Sequence, residues 1–156
     1  MEILGYSAEC MISSAIAQDK RIKKYVLSRD LLYPAMNTAY LKKKTQIALS
    51  YLKEEYGIPT LTRGLRRTSF SWEDVPTQTI LDRVFGVDFS LNILGYKIAI
   101  DVTTNQTKIK EKKEKLWKVI QVLPYDYSLV IIVRKLEVSN LFSYLKKEKD
   151  KGIIII

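Results

Sequence analysis

Two aspartates, Asp88 and Asp101, are the residues best placed to do chemistry in this sequence. They lie in two arms of alternating apolar and polar side chains, joined by a short stretch around Leu94 and Gly95. Such alternation predicts an antiparallel strand pair, and an even-numbered turn places Asp88 opposite Asp101 on the same face. Cross-strand Cβ atoms are about 4.5–5.5 Å apart, so the two carboxylates repel each other unless a proton or a cation separates them. A divalent metal bound by oxygen atoms is the simplest resolution at neutral pH.

The residues around these aspartates resemble a known nuclease motif. The sequence GVD at 86–88 and the sequence IDVT at 100–103 resemble the core of the PD-(D/E)XK superfamily, the restriction endonuclease-like fold that includes Holliday-junction resolvases. The resemblance implies that Asp88 and Asp101 hold Mg²⁺ or Mn²⁺, and that an activated water attacks the phosphorus of a phosphodiester bond. The superfamily places a catalytic lysine two residues after the second acid, and here Thr103 stands at that position.

The missing lysine has candidate replacements elsewhere in the chain. The resemblance implies that the next helix can supply it, as some members of the superfamily do. Residues 104–121 predict a strongly basic helix, whose first lysines, Lys108 and Lys112, can lean back toward the two carboxylates. Lys97, on the acid-bearing face of its strand, is a third candidate. If none of the three serves, the protein binds DNA without cutting it.

A third metal ligand is also implied by the resemblance, because a helix ahead of the first strand sometimes offers an acid to the site. Residues from Asn37 or Thr38 to Tyr56 predict such a helix, with an apolar stripe that ends at Glu55. Glu55 is therefore a candidate metal ligand. The alternative is that Glu55 is partly solvated at the helix end.

Charge favours a polyanionic partner. The chain has 26 Lys and Arg against 17 Asp and Glu, a formal net charge of +9, which is typical of nucleic-acid-binding proteins and, second, of proteins on anionic membranes. Guanidinium groups beside an aromatic ring suit phosphate contact and base stacking, although an exposed basic edge strand has the same composition. The candidate nucleic-acid contacts are Arg63, Arg66, Arg67, Trp72, Lys110 and Lys113.

Composition excludes several kinds of chemistry. The chain has no His, which removes His-based general bases and leaves a structural zinc site almost without ligands. The single cysteine, Cys10, cannot form an internal disulfide. No apolar run reaches the length of about 18 residues that a membrane span needs, and the N-terminus does not have the pattern of a signal peptide. We therefore expect an intracellular protein, or one in the host cytoplasm if the source is viral; the richness in Lys, Ile and Glu suggests a thermophile.

The order of predicted elements gives the fold class. A helical extension over residues 1–36 precedes a core over 37–156, and the core runs helix, strand around 65–72, hairpin from Phe85 to Thr103, helix, strand from Tyr127 to Lys135. A helix from Ser139 and a strand over 153–156 follow. This predicts a single α/β (α+β) domain with a mixed central sheet, and the αβββαβ order resembles the restriction endonuclease-like core.

Two functions remain open. The first is a metal-dependent endonuclease that hydrolyses DNA phosphodiester bonds through a two-carboxylate Mg²⁺ site. The second is a non-catalytic nucleic-acid-binding protein on the same fold. DNA is the expected partner in both, a membrane is not, and a homodimer is left open.

Overall fold

The computed structural model describes residues 5–38, 41–62, 65–69, 71–135 and 138–156, with side chains for all of these except Leu49 and residues 58–69. The chain forms two compact units. The sheet unit comprises Met1–Val26 and Gly86–Ile156, and the inserted unit comprises Leu27–Phe85. None of the helices within the described ranges is long and apolar enough to cross a membrane. The single nuclease-like domain stays a prediction.

The sheet unit is a five-stranded mixed sheet with helices on it. Its strands are β1 (Lys23–Lys24), β4 (Phe89–Ile93), β5 (Tyr96–Thr103), β6 (Tyr127–Ile132) and β7 (Ile153–Ile155); β2 and β3 belong to the inserted unit. The strand order in the sheet is β1-β4-β5-β6-β7. β4 is antiparallel to both β1 and β5, and β6 and β7 are parallel to β5. The helices are α1 (Gly5–Gln18), α5 (Ile109–Val122) and α6 (Leu141–Glu148). The predicted mixed α/β class is confirmed.

The β4–β5 hairpin has the register that the sequence predicts. Phe89 pairs with Ile100, and the ladder continues to Ile93 and Tyr96 around the two-residue turn. The predicted pair of Asp88 with Asp101 is not among these pairs, because β4 begins at Phe89. Leu94 and Gly95 have φ values of 53° and 88°, and two positive φ values in a two-residue loop are typical of the type I′ turn that matches strand twist. Gly95 adopts this conformation without strain. The turn thereby fixes which β5 side chains face each side of the sheet.

The two faces of the sheet bury different helices. On one face, Ile98 and Ile100 join a cluster that includes Ile12 and Ile16 of α1 and Leu145 of α6. Residues alternate across a strand, so Ala99, Asp101 and Thr103 lie on the other face. There α5 contacts β5 and β6 and buries its own apolar stripe, including Leu116 and Val119. Asp101 therefore lies beneath a helix, at the carboxyl end of the central strand.

The inserted unit has a separate small sheet and core. Its elements are α2 (Arg29–Met36), α3 (Lys42–Tyr56), β2 (Ile58–Thr62), β3 (Leu65–Ser69), a 3₁₀ turn (Trp72–Asp74) and α4 (Thr77–Ile80), which continues as a π-helical turn over Leu81–Phe85. β2 and β3 pair only with each other within the described residues. The buried residues of this unit include Leu32, Leu52, Ile80 and Phe85.

Three predictions about the elements are wrong. The strand predicted around 65–72 lies outside the central sheet, because β3 pairs with β2. The outer strand of the central sheet next to β4 is instead β1, from the stretch predicted as a helical extension, which holds α1, β1 and α2. The hairpin begins at Phe89 rather than Phe85, because Leu81, Val84 and Phe85 have helical i, i+3, i+4 spacing and bury one side of a helical turn.

A buried hydroxyl pair on the α5 face gives the fold a pH dependence. Ser90 Oγ and Tyr125 Oη lie 2.6 Å apart, and both residues are buried. Burial raises the pKa of Tyr125 to about 12, although the Ser90 hydrogen bond partly lowers it. An unfolded tyrosine titrates near pH 10, so above that pH the unfolded chain loses this proton first.

We therefore expect the unfolding free energy to fall as pH rises from about 10 to about 12. The comparison is with Tyr125→Phe, in which the part of the loss that comes from this tyrosine disappears. Urea unfolding at closely spaced pH values measures both proteins. Parallel stability curves for the two proteins across this window would contradict the expectation.

Candidate functional site

Asp101 is a buried carboxylate that accepts hydrogen bonds from Lys112. It is 3% exposed and its backbone is paired in the central strand β5. Lys112 Nζ, from the first turn of α5, lies 3.1 Å from both Oδ1 and Oδ2. Burying an unpaired carboxylate costs several kcal/mol, so this lysine offsets the charge that the strand buries. Lys112 thus leans back toward Asp101, and its catalytic role stays a prediction.

Asp88 begins the site from the neighbouring chain segment, one residue before β4. Its backbone amide donates to the Ile100 carbonyl at 2.8 Å. Its Oδ2 accepts a hydrogen bond from the Val102 amide, also at 2.8 Å. The Asp88 carboxylate thus accepts the hydrogen bond of the Val102 amide, two residues beyond the last strand pair, Phe89 with Ile100. This bond holds the carboxylate beside the backbone that carries Asp101.

Thr103 ends β5 on the acid-bearing face, two residues after Asp101. It is 6% exposed, and its Oγ1 accepts a hydrogen bond from the Asn105 amide at 3.1 Å. Its carbonyl accepts from the Val133 amide. These contacts shape the turn that leads into α5. They tie the hydroxyl to the backbone, and a direct catalytic role for Thr103 stays a prediction.

Lys108 and Lys112 differ in position although both were candidates. Gln106–Lys108 forms a 3₁₀ turn, in which Asn105 Oδ1 accepts the Thr107 amide. Helix α5 begins only at Ile109, so Lys112 lies in its first turn. The Lys108 side chain is exposed and forms no ion pair with any described residue. Lys112 is therefore the lysine that the fold brings to Asp101.

Lys115 is a further lysine, close to Gly86, that the sequence did not indicate. Its Nζ and Cε lie where a Cβ on Gly86 would be. Gly86 has φ +70°, a conformation that L side chains rarely adopt. Lys115 is three residues after Lys112 and so lies on the same side of the helix. That spacing, together with a glycine two residues before Asp88, is the signal that could have identified it.

Replacing Gly86 by alanine should lower the unfolding free energy by about 1–2 kcal/mol, because the new residue must adopt positive φ. The collision with Lys115 adds little, because the tip of a lysine can move away. We expect nearly the same loss in a Lys115→Ala background, measured by urea unfolding. A Gly86→Ala loss that vanishes in that background would show that contact with Lys115, and not backbone strain, sets the cost.

The remaining acid, Glu55, lies in the inserted unit. Arg83 Nη1 contacts its Oε2 at 2.7 Å, and both side chains are about two-fifths exposed. The sequence predicts that Glu55 faces the protein core. In the structure Glu55 is exposed, as Glu54 is, because both lie in the last turn of α3. Its role as a metal ligand stays a prediction.

The predicted nucleic-acid contacts fall in both units. Arg63 lies outside the described residues, and Arg66 and Arg67 belong to β3, whose side chains are not described. Trp72 lies in the 3₁₀ turn, where its carbonyl accepts a hydrogen bond from Arg29. In the sheet unit, Lys110 and Lys113 are exposed on α5. Each remains a candidate.

The donor set around Asp101 fits a hard divalent cation. Mg²⁺ is usually held by one or two carboxylates, with water and substrate phosphates completing its coordination. Asp88 and Asp101 supply those carboxylates from adjacent chain segments. Among the described residues no group of three His, Cys, Asp or Glu side chains gathers, and the two-carboxylate metal site stays a prediction. Lys112 adds one positive charge directly beside it.

Comparison of the chain with protein-family models, with curated proteins and with solved structures gives no match in any of the three.

Proposed function

We propose that the protein is a metal-dependent nuclease that hydrolyses phosphodiester bonds of DNA, on a restriction endonuclease-like core. The observation that carries the proposal is the contact of Lys112 with both oxygens of Asp101, next to a second carboxylate, Asp88. Two acids and a lysine are the groups that the PD-(D/E)XK motif requires. The net charge of +9 supports a polyanionic substrate.

Each residue has a definite task in this proposal. Asp88 and Asp101 would hold Mg²⁺ or Mn²⁺, which when bound activates water and stabilises charge on the phosphate. The Val102 amide holds Asp88 in place through its Oδ2. Lys112 neutralises Asp101 in the free protein and, with substrate present, places its ammonium group beside the attacked phosphate. It takes over from the helix the task that a lysine at position 103 has in the motif.

A non-catalytic DNA-binding protein is the second candidate, and one observation favours it. The protein itself satisfies both carboxylates: Lys112 contacts Asp101, and the Val102 amide contacts Asp88. A site whose charges are balanced in this way is stable without a metal. On this reading the lysines of α5 neutralise phosphates and the acids only fix the helix on the sheet.

A cleavage assay separates the two candidates. Linear, branched and single-stranded DNA are incubated with Mg²⁺, with Mn²⁺ and with a chelator. The nuclease proposal expects cleavage of at least one form that depends on the metal. Binding without cleavage of any form, in either metal, would establish the second candidate in its place.

Both candidate functions predict that DNA binding weakens as the salt concentration rises. Each phosphate that a lysine neutralises should contribute a slope of about −0.9 to log affinity against log salt on duplex DNA. Replacing Lys110 and Lys113 together by Gln should reduce the magnitude of the slope by about 2. Fluorescence anisotropy over a salt series measures it. An affinity that does not change from low to moderate salt would count against any nucleic-acid role.

A further inference from the structure

A cleft of about 480 Å³ lies at the turn of the β4–β5 hairpin in the sheet unit. Pockets of this volume hold small ligands. Tyr96, at the start of β5, is about 16 Å along the strand from Asp101, so the cleft is separate from the acid site. Its lining residues are Arg21, Lys23, Asn92, Leu94, Gly95 and Phe142.

The Arg21 guanidinium lies over an aromatic ring beside this cleft. Its Cζ lies 4.2 Å from the centre of the Phe142 ring. Asp19 fixes its plane, with Nε 2.9 Å from Oδ1 and Nη2 2.7 Å from Oδ2. The side chain is nevertheless 63% exposed, so a large part of it is accessible to a ligand. A planar, immobilised guanidinium is a surface on which a base can stack.

Arg21 and Lys23 have different roles at the cleft, one in stacking and the other in binding phosphate. Asp19 compensates the charge of Arg21, which therefore contributes a stacking plane more than an attraction for phosphate. Lys23, on the edge strand β1, is exposed and forms no ion pair within the described part of the chain. It can bind a phosphate. Lys24 follows it on the strand and is not one of the residues that line the cleft.

A second aromatic and cationic group lies on the far side of the same turn. The rings of Tyr96 and Tyr127 are 5.6 Å apart, centre to centre. Lys149 Nζ lies 4.9 Å and 5.7 Å from these two centres. Tyr96 is 43% exposed. The hairpin turn therefore has ring surfaces with adjacent positive charge on both sides, the combination that single-strand-binding proteins use.

We propose that this cleft binds an unpaired base of a nucleic-acid strand, stacked on the guanidinium of Arg21, with an adjacent phosphate on Lys23. The proposal rests on the nucleic-acid-binding part of the proposed function and is independent of cleavage. A base in a duplex has both of its faces covered by neighbouring base pairs, so only an unpaired base can offer its face to Arg21.

The test compares a homothymidine strand with a blunt duplex of the same length, by anisotropy at one fixed salt concentration. Arg21→Lys keeps the charge and removes the planar group. We expect it to weaken single-strand binding about 5- to 100-fold, the range for loss of one stacked base, with duplex binding changed less than about twofold. Arg134→Lys, at an exposed arginine away from the cleft, is the matched control and should change neither affinity.

Two further variants distinguish stacking from charge. Lys23→Gln should weaken single-strand binding more than Lys24→Gln does, although both remove one charge from β1. Asp19→Asn adds net positive charge but releases the guanidinium plane, so we expect the ratio of single-strand to duplex affinity to fall. If binding depended on net charge alone, the ratio of single-strand to duplex affinity would be the same in Asp19→Asn as in the wild type.

The outcomes separate the failure of this inference from failure of the proposed function. Salt-sensitive duplex binding together with an Arg21→Lys protein that binds the single strand normally would overturn the cleft proposal alone. Equal weakening of both ligands by Arg21→Lys would also overturn it. If the wild-type protein binds neither DNA form, the cleft proposal and the nucleic-acid role fail together.

Discussion

Replacing Asp101 by Asn is expected to lower metal-dependent cleavage by about three orders of magnitude or more, because it removes a metal ligand and its negative charge. DNA binding should survive or tighten, because one acid no longer repels the phosphates. The two side chains have nearly the same shape. Lys112, left without its anionic partner, is 26% exposed and can turn toward solvent, so the variant should still fold.

Asp150→Asn is the control for this experiment. Asp150 is exposed in the sheet unit, and the substitution changes the net charge by the same amount. It should leave cleavage unchanged. Single-turnover cleavage with protein in excess, together with anisotropy, measures both effects. If Asp101→Asn cleaves as fast as the wild type, the carboxylate is no metal ligand and the proposed site is wrong.

Lys112→Ala should lower the cleavage rate by about two to four orders of magnitude, the usual contribution of a positioned proton-transfer or charge-stabilising group. Lys108→Ala should change it by no more than a few-fold, because Lys108 is exposed and does not pair with Asp101. The two variants remove the same charge from neighbouring turns. A larger loss in Lys108→Ala would show that the wrong lysine has been assigned.

Loss of Lys112 also leaves Asp101 buried without its cation, which should reduce the unfolding free energy by about 3 kcal/mol. A double variant, Lys112→Ala with Asp101→Asn, restores the balance of charge. We expect it to regain most of the stability in urea unfolding while remaining inactive. If activity returned along with stability, neither Asp101 nor Lys112 would act in cleavage, and the pair would only maintain the fold.

The hairpin could be predicted because strand alternation and turn chemistry agree there. The apolar residues from Phe89 to Ile93 and from Ile98 to Val102 alternate, and Gly95 permits the turn that sets their register. The ladder ends at the pair Phe89 and Ile100, so the predicted pairing of Asp88 with Asp101 is not part of it, and Asp88 contacts β5 through the Val102 amide instead. In contrast, β1 consists of two lysines, which have no strand pattern, and only pairing with β4 makes them a strand.

The choice between Lys108 and Lys112 could not be made from the sequence. Both are within one or two turns of Thr103, and the prediction started the helix at Thr104. In the structure Asn105 caps a 3₁₀ turn first, and α5 starts later. The later start at Ile109 determines which side chains of α5 face the sheet. The capping turn at the start of α5 therefore decides which lysine reaches Asp101. Composition and periodicity do not predict the geometry of that turn.

The position of β1 has a consequence for the order of folding. β4, β5, α5 and β6 follow one another closely along the chain, so their pairing closes only short loops. Lys24 pairs with Leu91 and the Tyr25 amide donates to the Ser90 carbonyl, so these contacts close a loop that contains all of Leu27–Phe85. Because closure entropy rises with loop length, we expect this edge to form after the β4–β5 hairpin. We also expect the strand that carries Lys23 to open first in the sheet, which amide hydrogen exchange measures.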